Sequence, residues 1–405
     1  MKIQIPDFCL LAIAAASAPE GLDFARRHFP PEAIVDRHRE GWPVTAADRL
    51  TRRQMVVLDA SEAPQRQRID LIRLAKRSYA QPLALVLCSP DGRPDLRTAR
   101  GLETTGFRTV HAIWPPEAEA LKIERVRLPP DLRFVDGPFD IVGDIHGCAD
   151  ELTELFGRLG YRVRFEGDGA ARRVEVDRPP GRRAIFVGDF VDRGPRSPDV
   201  LRIVMRMVEQ GHAFAVPGNH DVKFLKWLRG SQVRLTHGLD LTVAQFGDES
   251  PSFCDAVRRF LLSLPSHLWL EGGRLAVAHA GVLEDMIGRE SEAVREFCLY
   301  GDTEGETDAT GLVVRYHWAA NYRGETAIVY GHTPVPDAEW VNNTHCIDTG
   351  CCFGGKLTAL RWPEREVISV PAARMYTRPG RPFGHPAVRP AERPGPRQRR
   401  RPRYR

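Results

Sequence analysis

The most regular pattern in this chain is a series of short apolar runs that are followed by small and polar residues. From Phe139 onward these runs lie in the segments FDIVGDIHG, RAIFVGDFVDRG, HAFAVPGNHD, RLAVAHAG and AIVYGHTPV. Runs that are apolar at every position, rather than at alternate positions, are typical of central strands buried on both faces. We therefore predict an α/β fold in which the carboxyl ends of these strands gather at one edge, where ligands bind in such folds.

The N-terminal third has its own set of apolar runs. FCLLAIA, QMVVLDAS and LALVLCSP predict buried strands, and LDFARRHF predicts the helix after the first of them. The stretch MKIQIPDFCLLAIAAASAPEG also resembles a secretion signal, because a lysine precedes an apolar run from Phe8 to Ala18. However, Pro6 and Asp7 interrupt the basic region of such a signal, and cleavage near Ala18 would remove a strand that the domain needs. We predict a strand here, and a cytoplasmic protein.

Length and composition place the chain among ordinary globular proteins with room for two domains. It has 405 residues, of which 42% are hydrophobic and 27% are charged. No apolar run approaches the roughly 20 residues that a membrane span requires, so we expect no membrane contact. We predict a smaller α/β domain over residues 1–128, a larger domain over 138–373 and a tail over 374–405.

The net charge of +5 is unevenly divided along the chain. Residues 374–405 hold eleven arginines, seven prolines and one acid, Glu392, so this tail carries ten net positive charges and the remainder is mildly acidic. A segment with so few apolar residues cannot pack a core, and we predict that it is disordered. It either contacts nucleic acid or another polyanion or serves as a solubilising extension, and the composition leaves both open.

The eight cysteines are scattered and form no CxxC pair. Several lie inside apolar runs, where a thiol behaves as a small hydrophobic group. We therefore predict no disulfide framework and a reducing compartment.

The predicted strands of the second domain end in residues that can ligate metal ions. These residues are Asp144, His146, Asp189, Asn219, His279 and His332. Nitrogen and oxygen ligands without thiolate suit Mn²⁺ best, with iron, zinc or nickel as alternatives. Six protein ligands are too many for one catalytic ion with an open position, and they suit two ions that share one carboxylate. We predict a binuclear centre with affinity for a phosphate group.

Further polar residues near these ligands fit phosphoryl transfer. The planar guanidinium of Arg193 matches phosphate oxygens. His220 can protonate a departing oxygen, and Asp192 can orient its ring. Asp348 in CIDTG is either an acid near the substrate or a turn residue. The weaker candidates for phosphate contact are Arg315, His317 and Arg323.

The ordered series GDIHG, GDFVDRG, GNHD, AHAG and GHT resembles the calcineurin-like metallophosphoesterases, in the branch that includes phosphoprotein phosphatases. The resemblance implies a two-sheet α/β sandwich flanked by helices. It also implies that Arg193 binds phosphate and that His220 assists the leaving group with Asp192 behind it. The implied ligands are Asp144, His146 and Asp189 for one ion, and Asp189, Asn219, His279 and His332 for the other.

Within that branch, the segment from about Pro138 to Ala372 looks like the phosphatase module of bacterial polynucleotide kinase–phosphatases. Stretches such as YGHTPVPDAEWVNNTHCIDTGCCFGG carry this likeness, and Asp348 matches a functional acid of that module. The GNHD form, which ends in Asp221, also resembles bacterial dinucleoside tetraphosphatases and differs from the GNHE of serine/threonine protein phosphatases.

The first domain looks like a degenerate form of the P-loop kinase module that precedes this phosphatase in the family. The two glycines, the lysine and the hydroxyl of the phosphate loop are replaced, so we expect no ATP binding. GRPDLRTARGLETTGF stands where a nucleotide lid would be. The replacing residues are Ala15, Glu20, Gly21 and Leu22, and the residues that resemble the kinase acceptor site are Asp36 and Arg39.

We therefore predict a two-metal phosphoesterase that acts on RNA or nucleotides, and foremost on nucleic-acid ends with a 3′-phosphate or a 2′,3′-cyclic phosphate. The alternatives are a bis(5′-nucleosyl)-tetraphosphatase, a serine/threonine protein phosphatase and a non-catalytic RNA-binding adaptor. No ligase module follows the phosphatase, so we expect a separate kinase or ligase partner. The intact set of metal ligands argues against the adaptor.

Overall fold

The structure is a computed structural model that describes residues 1–88, 96–107, 109–114, 120–308, 311–380 and 383. It divides into two compact units, which comprise Met1–Asp131 with Gly288–Val294 and Leu132–Ile287 with Arg295–Arg405. Most of the predicted tail, and part of the segment predicted to replace the kinase lid, lie outside the described residues. Within the described ranges, no helix is long and apolar enough to cross a membrane.

The first unit forms around the apolar runs of the N-terminal third. Its elements are β1 (Lys2–Pro6), β2 (Leu10–Ala14), β3 (Val56–Asp59), β4 (Pro82–Leu87), β5 (Thr109–Ile113), β6 (Lys122–Val126), α1 (Ala18–His28), α2 (Trp42–Thr51), α3 (Gln65–Arg77) and α4 (Leu96–Thr105). Strands β3, β2, β4 and β5 form a parallel sheet in that order, and β1 pairs with β6. The opening apolar run therefore supplies an interior strand, β2, in which every residue is buried.

The second unit is built from two large sheets, a two-stranded sheet formed by Arg162–Glu166 and Arg173–Asp177, and several helices. Its strands, with β7 at the junction, are β7 (Asp131–Leu132), β8 (Phe139–Val142), β9 (Arg162–Glu166), β10 (Arg173–Asp177), β11 (Arg183–Phe186), β12 (Ala213–Ala215), β13 (His267–Leu270), β14 (Leu275–Ala278), β15 (Ala327–Tyr330), β16 (Trp340–Val341), β17 (Thr344–Cys346), β18 (Lys356–Trp362) and β19 (Glu366–Pro371). Among the described residues, the α-helices after α4 are α5 (Ala149–Leu159), α6 (Ser197–Glu209), α7 (Asn219–Leu228), α8 (Leu239–Phe246), α9 (Pro251–Ser263) and α10 (Glu292–Tyr300), whose first three residues belong to the first unit.

The two sheets pack face to face. One has the strand order β12-β11-β8-β18-β19, and the other has the order β16-β17-β15-β14-β13-β7. Ile141 and Ile185 from the first sheet share a core with Val277 and Val329 from the second. On the outer face of the first sheet, α5 and α6 pack against residues such as Phe186. This confirms the predicted two-sheet α/β sandwich flanked by helices.

Parallel pairing brings the predicted ligands together at the strand ends. In the first sheet β8, β11 and β12 run parallel, and in the second sheet β14, β15 and β17 run parallel. Each of the six predicted metal ligands follows the end of its strand by no more than four residues. The sandwich therefore presents these side chains on one side, as the hydrophobic pattern predicted.

The first residues of the predicted tail make defined contacts. Met375 forms a β-bridge with Phe353, and the backbone N–H groups of Tyr376 and Thr377 each donate to the carbonyl of Cys352 at 3.0 Å. Composition did not indicate these contacts, because they are made by the few apolar and aromatic residues at the start of an otherwise arginine- and proline-rich segment. Residues 384–405 lie outside the described part of the chain.

Candidate metal centre

Two overlapping groups of buried side chains form the centre of the site. His146, Asp189 and His220 make one group, and Asp189, His279 and His332 make the other, with the ligand atoms of each group within 4.8 Å of one another. Asp189 Oδ2 lies 3.3 Å from His146 Nε2 and 3.6 Å from His279 Nε2. Asp189 is therefore the carboxylate shared by the two groups.

The remaining predicted ligands join these groups. His279 Nε2 lies 3.1 Å from Asn219 Oδ1 and 3.0 Å from His332 Nδ1. Asp144, which is 3% exposed, accepts the backbone N–H of His332. The structure thus brings all six sequence-predicted ligands to one place.

Backbone conformation explains how strand ends can aim so many side chains inward. His146, Asp189 and His332 have φ angles of +48°, +51° and +74°. Left-handed conformations are uncommon for residues other than glycine and are found at functional sites, where the surrounding structure holds them in place. Gly218 permits the close approach, because a Cβ there would collide with Asp189 Oδ1. The chain turns sharply at each strand end and directs the ligands toward a common point.

Hydrogen bonds set the tautomers of two of the histidines. His146 Nδ1 lies 2.9 Å from the Val191 carbonyl, and His279 Nδ1 lies 3.1 Å from the Val187 carbonyl. A carbonyl can only accept, so each Nδ1 carries the proton and each Nε2 presents a lone pair. Burial also lowers the pKa of His146 and His279, which keeps both rings neutral as metal ligation requires.

This arrangement fits divalent cations. The lone pair of His279 Nε2 faces the acceptor oxygens of Asn219 and Asp189, with no proton between them. Acceptors that face one another in a buried site repel, and a cation between them converts the repulsion into coordination. The donor set contains nitrogen and oxygen only, which agrees with the predicted binuclear centre.

The carboxylates carry the electrostatic signature of a cation site. Burial, together with the charges of Asp348 and Asp189, raises the pKa of Asp144 well above its usual value. Burial also raises the pKa of Asp348 to about 6. For Asp189 the raising effect of burial is outweighed by His279, His220 and Arg193, and its pKa is lowered. Several acids held this close together favour a bound cation over protons.

A second functional pair lies beside the metal ligands. His220 Nδ1 is 2.6 Å from Asp192 Oδ2, and Thr242 Oγ1 donates to Asp192 Oδ1 at 2.7 Å. Burial lowers the pKa of His220 to about 3 and raises that of Asp192 to about 7. The sequence predicted His220 and Asp192 but not Thr242, because a threonine on a separate helix carries no recognisable signal.

Arg193 lies between the metal ligands and this pair. Its Nη1 donates to His146 Nε2 at 2.6 Å, and its Nη2 donates to His220 Nε2 at 2.9 Å. The guanidinium stacks on the ring of Phe353, with 4.9 Å from Cζ to the ring centroid. Phe353 is a second residue that sequence reasoning missed, since nothing in TGCCFGG distinguishes it from a core aromatic.

The three weaker candidates for phosphate contact do not all lie at the site. Arg315 donates to the His332 carbonyl at 3.1 Å, and with His317 it lines a cleft that includes His332. Arg323 is exposed and donates to the carbonyls of Ala320 and Tyr322 within its own loop. The structure does not bring Arg323 to the site.

Asp221 and Asp348 have defined positions. The Asp221 carboxylate accepts backbone N–H groups from Phe190 at 2.9 Å and Gly218 at 2.8 Å, and so ties the GNHD segment to the GDFVD segment. Asp348 is buried and accepts the N–H of Gly350 at 3.0 Å. Its effect on the pKa of Asp144 places its charge at the centre, although the N–H contact is also that of a turn residue.

The comparison with protein families agrees with this site. The calcineurin-like phosphoesterase family matches residues 137–361. The chain is 45% identical over 242 residues to the bis(5′-nucleosyl)-tetraphosphatase PrpE [asymmetrical] of Anoxybacillus flavithermus, and 43% identical over 242 residues to that of Bacillus subtilis. Each alignment covers 59% of this chain and 96% of the relative. The structure of a protein serine/threonine phosphatase from Saccharomyces cerevisiae is similar with a TM-score of 0.40 and 13% identity, over 77% of this chain and 91% of that one.

The fold and the site define a metal-dependent phosphoesterase with a binuclear centre. The chain belongs to the calcineurin-like phosphoesterase family. This confirms the predicted family and the predicted hydrolase class, while the identity of the metal and the closer likeness to polynucleotide kinase–phosphatases stay predictions.

The predicted phosphate-loop position in the first unit has a distinct geometry. Residues 15–17 alone separate β2 from α1, and Glu20 is exposed in the first turn of that helix. The backbone N–H of Ala15 donates to Ser61 Oγ at 2.9 Å. Gly21 packs so closely on Asp59 that a Cβ would collide with its carboxylate. The origin of this unit as a kinase stays a prediction, as do the roles suggested for Asp36 and Arg39, which pair with each other at 3.7 Å.

Proposed function

We propose that this phosphoesterase hydrolyses dinucleoside tetraphosphates asymmetrically, to a nucleoside triphosphate and a nucleoside monophosphate. The observation that carries the proposal is the similarity to proteins of that name, which are 43–46% identical to this chain over 94–96% of their own length. The alignments extend over almost the whole length of these relatives. This chain therefore contains a counterpart of nearly every segment of each relative.

The geometry supports phosphoryl transfer through named groups. We propose that the six predicted ligands hold two divalent ions, which when bound supply Lewis-acid charge for a phosphate and an acidified water. We propose that the Arg193 guanidinium, which lies over the ring of Phe353, binds two phosphate oxygens through N–H groups that in this structure point at His146 and His220. Arg315, at the cleft beside His332, offers a second positive charge for a longer polyphosphate.

We propose that His220 moves the proton. Asp192 accepts the Nδ1–H, so Nε2 is the atom that exchanges a proton with the departing oxygen. Thr242 fixes Asp192 through two hydrogen bonds, one at the backbone N–H of Asp192 and one at its carboxylate. The ring therefore keeps one orientation through the reaction, which lowers the entropic cost of the proton transfer.

A second candidate is the removal of phosphate from nucleic-acid ends. The observation that favours it is the tail, with ten net positive charges over residues 374–405. Basic segments neutralise phosphates along a strand without reading its sequence. In that case kinase and ligase steps would belong to separate partner proteins, and the protein would work on RNA in the cytoplasm.

The test is one substrate panel with purified full-length protein and Mn²⁺. The panel contains diadenosine tetraphosphate, RNA with a 3′-phosphate, RNA with a 2′,3′-cyclic phosphate, and a phosphopeptide. Asp189→Asn protein prepared in the same way measures any contaminating phosphatase. Chromatography of the tetraphosphate products separates ATP with AMP, the asymmetric outcome, from two molecules of ADP.

Each outcome selects one function. Rapid conversion of the tetraphosphate to ATP and AMP, with slow turnover of the others, is the expected result. Preferential release of phosphate from RNA ends would replace it with the second candidate. Turnover of the phosphopeptide alone would identify a protein phosphatase, and tight RNA binding with no turnover of any substrate would identify an adaptor.

A further inference from the structure

A second cluster of metal-ligating side chains lies outside the binuclear centre. Cys148, Glu151 and Cys351 are 0%, 3% and 2% exposed, and one ligand atom of each lies within 4.8 Å of the other two. The sequence suggested that the cysteines are small hydrophobic residues. In the structure, Cys148 and Cys351 meet although they are distant in sequence, and the carboxylate of Glu151 lies beside them. Hydrophobic packing of the two thiols does not require a carboxylate there.

Glu151 has an oxygen that its surroundings leave unsatisfied. The backbone N–H of Ala373 and the hydroxyl of Tyr376 both donate to Oε1, at 3.0 and 2.8 Å. Oε2 is buried and has no hydrogen-bond partner among the residues that the structure describes. A buried carboxylate oxygen without a donor is costly, because its hydration has been removed and not replaced. A bound cation would remove this cost.

We propose that Cys148, Glu151 and Cys351 bind one Zn²⁺ ion, with water as the fourth ligand. Two thiolates and a carboxylate suit zinc, whereas the nitrogen and oxygen ligands of the catalytic centre also suit harder ions. With Zn–S distances of about 2.3 Å and Zn–O distances of about 2.0–2.2 Å, tetrahedral ligand atoms lie roughly 3.5–3.8 Å apart. The observed limit of 4.8 Å is close enough for small side-chain rotations to complete the site.

The local backbone favours such a site. Cys148 is the N-cap of α5, and Glu151 lies in the first turn of that helix. Residues three apart at a helix start share one face, and the positive end of the helix dipole favours anionic ligands there. Cys351 comes from the turn between β17 and β18. The ion would therefore join the first turn of a helix to a loop from elsewhere in the sandwich.

The position gives the ion a structural role near the catalytic loops. Cys148 follows His146 by two residues, and Cys351 follows Asp348 by three residues. Glu151 also holds Tyr376, at the start of the tail segment. A zinc ion here would brace two loops that carry site residues, together with the chain segment that packs beside them.

The test uses full-length protein that has been stripped of metal under reducing conditions and reconstituted with Co²⁺. Thiolate ligation gives Co²⁺ a sulfur-to-metal charge-transfer absorption in the near ultraviolet, which nitrogen and oxygen ligands do not produce. We expect this absorption in the native protein and its loss in Cys351→Ser. Cys254→Ser is the matched control, because Cys254 is a half-buried thiol outside the cluster, and it should keep the absorption.

A second variant guards against misfolding of the first. Glu151→Gln keeps both thiols and an oxygen for Tyr376, and we expect Co²⁺ affinity at the thiolate site to fall by at least about tenfold. After reconstitution with zinc, elemental analysis should show one ion fewer per chain in Cys351→Ser than in the native protein. Absence of the charge-transfer absorption in the native protein would overturn the proposal. So would a disulfide between Cys148 and Cys351, detected as the loss of two hydrogens in the intact mass.

Discussion

His220 and Asp192 form a buried hydrogen-bonded pair, with 2.6 Å between His220 Nδ1 and Asp192 Oδ2. Asp192 lies in the loop after β11 and His220 lies in the first turn of α7, and Thr242 on α8 holds the aspartate in place. Because Asp192 orients the ring, the opposite nitrogen of His220 faces Arg193 and the metal ligands. The proton transfer that we propose for His220 would therefore depend on Asp192, a residue that need not touch the substrate.

Asp192→Asn should slow hydrolysis of an alkyl phosphate by roughly 10²-fold or more, because the proton-transferring ring loses its acceptor. An ester with an acidic leaving group, such as nitrophenyl phosphate, needs less protonation and should lose much less activity. Steady-state kinetics on both esters measure the difference. Asp240→Asn, an exposed acid on the same helix as Thr242, is the control. Equal losses on the two esters would contradict a proton-transfer role.

Asp189→Asn should weaken both metal ions together, because Asp189 Oδ2 faces His146 on one side and His279 on the other. We expect fewer than two Mn²⁺ ions per chain by elemental analysis, an intact circular dichroism spectrum and a fall in turnover of at least roughly 10²-fold. Asp150→Asn, which changes an exposed acid in the first turn of α5, should behave as the native protein does. A variant that keeps two ions and normal turnover would show that Asp189 is not shared.

The sequence predicted the parts of this site that depend on strand ends. Asp144, Asp189 and His332 could be found because each follows a short, mostly apolar and buried strand, and parallel strands bring such positions together. Thr242 and Phe353 could not be found this way. Thr242 contacts Asp192 and Phe353 contacts Arg193, and in both cases the partner is distant in sequence. Neither residue belongs to a repeating sequence pattern that would single it out.

The start of the tail shows a second limit of composition. The prediction of disorder used the average composition of residues 374–405, in which arginine and proline are the most frequent residues. Met375 and Tyr376 differ from the rest of the segment because each makes a specific contact: Met375 forms a β-bridge with Phe353, and the hydroxyl of Tyr376 donates to Glu151. The proximity of Cys148 and Cys351 also could not be predicted, because the spacing of cysteines along a chain does not show which of them lie close together in the fold.

Stability should depend on pH through His345, a ring buried in β17 and packed on Trp340 with 4.6 Å between centroids. Burial lowers its pKa to about 4, whereas the unfolded chain titrates near 6.5. Above pH 6.5 neither state is protonated and the contribution to stability is complete. As the pH falls from about 6.5 to about 4, the unfolded state gains a proton first, and up to about 3 kcal/mol of stability is lost.

Chemical denaturation of the native protein and of His345→Phe across this pH range measures the effect. The variant keeps an aromatic ring but cannot titrate, so its unfolding free energy should fall less on acidification than that of the native protein. The other buried histidines titrate equally in both proteins and cancel in the comparison. Parallel curves for the two proteins would show that His345 is not responsible.

The first unit should not bind ATP. Glu20 adds a negative charge at the predicted phosphate-loop position, and the N–H of Ala15 is engaged by Ser61. Calorimetry with Mg²⁺ and ATP on full-length Asp189→Asn protein, in which the phosphatase centre is disabled, should show no binding at millimolar nucleotide. Micromolar binding in that variant would show that the unit keeps a working nucleotide site.

Two truncations should separate the packed start of the tail from its arginine-rich remainder. Ending the chain after Phe383 keeps the contacts of Tyr376 and Thr377 and removes eight of the eleven arginines. This protein should hydrolyse nitrophenyl phosphate at the native rate. Ending the chain after Ala373 also removes Tyr376, which bonds to Glu151, and Thr377, which lies 3.5 Å from the carbonyl of Arg193. We expect this shorter protein to unfold at a lower temperature and to lose part of its activity.

The truncation after Phe383 also tests whether the tail holds RNA. Each phosphate that a cation neutralises on a single strand contributes about −0.7 to the slope of log affinity against log salt. If the arginines bind RNA, their removal should flatten this slope for an unstructured RNA, with the catalytic rate on a small ester unchanged. Fluorescence anisotropy at several salt concentrations measures the slope for the two proteins. Identical slopes would leave the tail as a solubilising extension, because a segment that neutralises phosphates cannot be removed without changing the number of ions released.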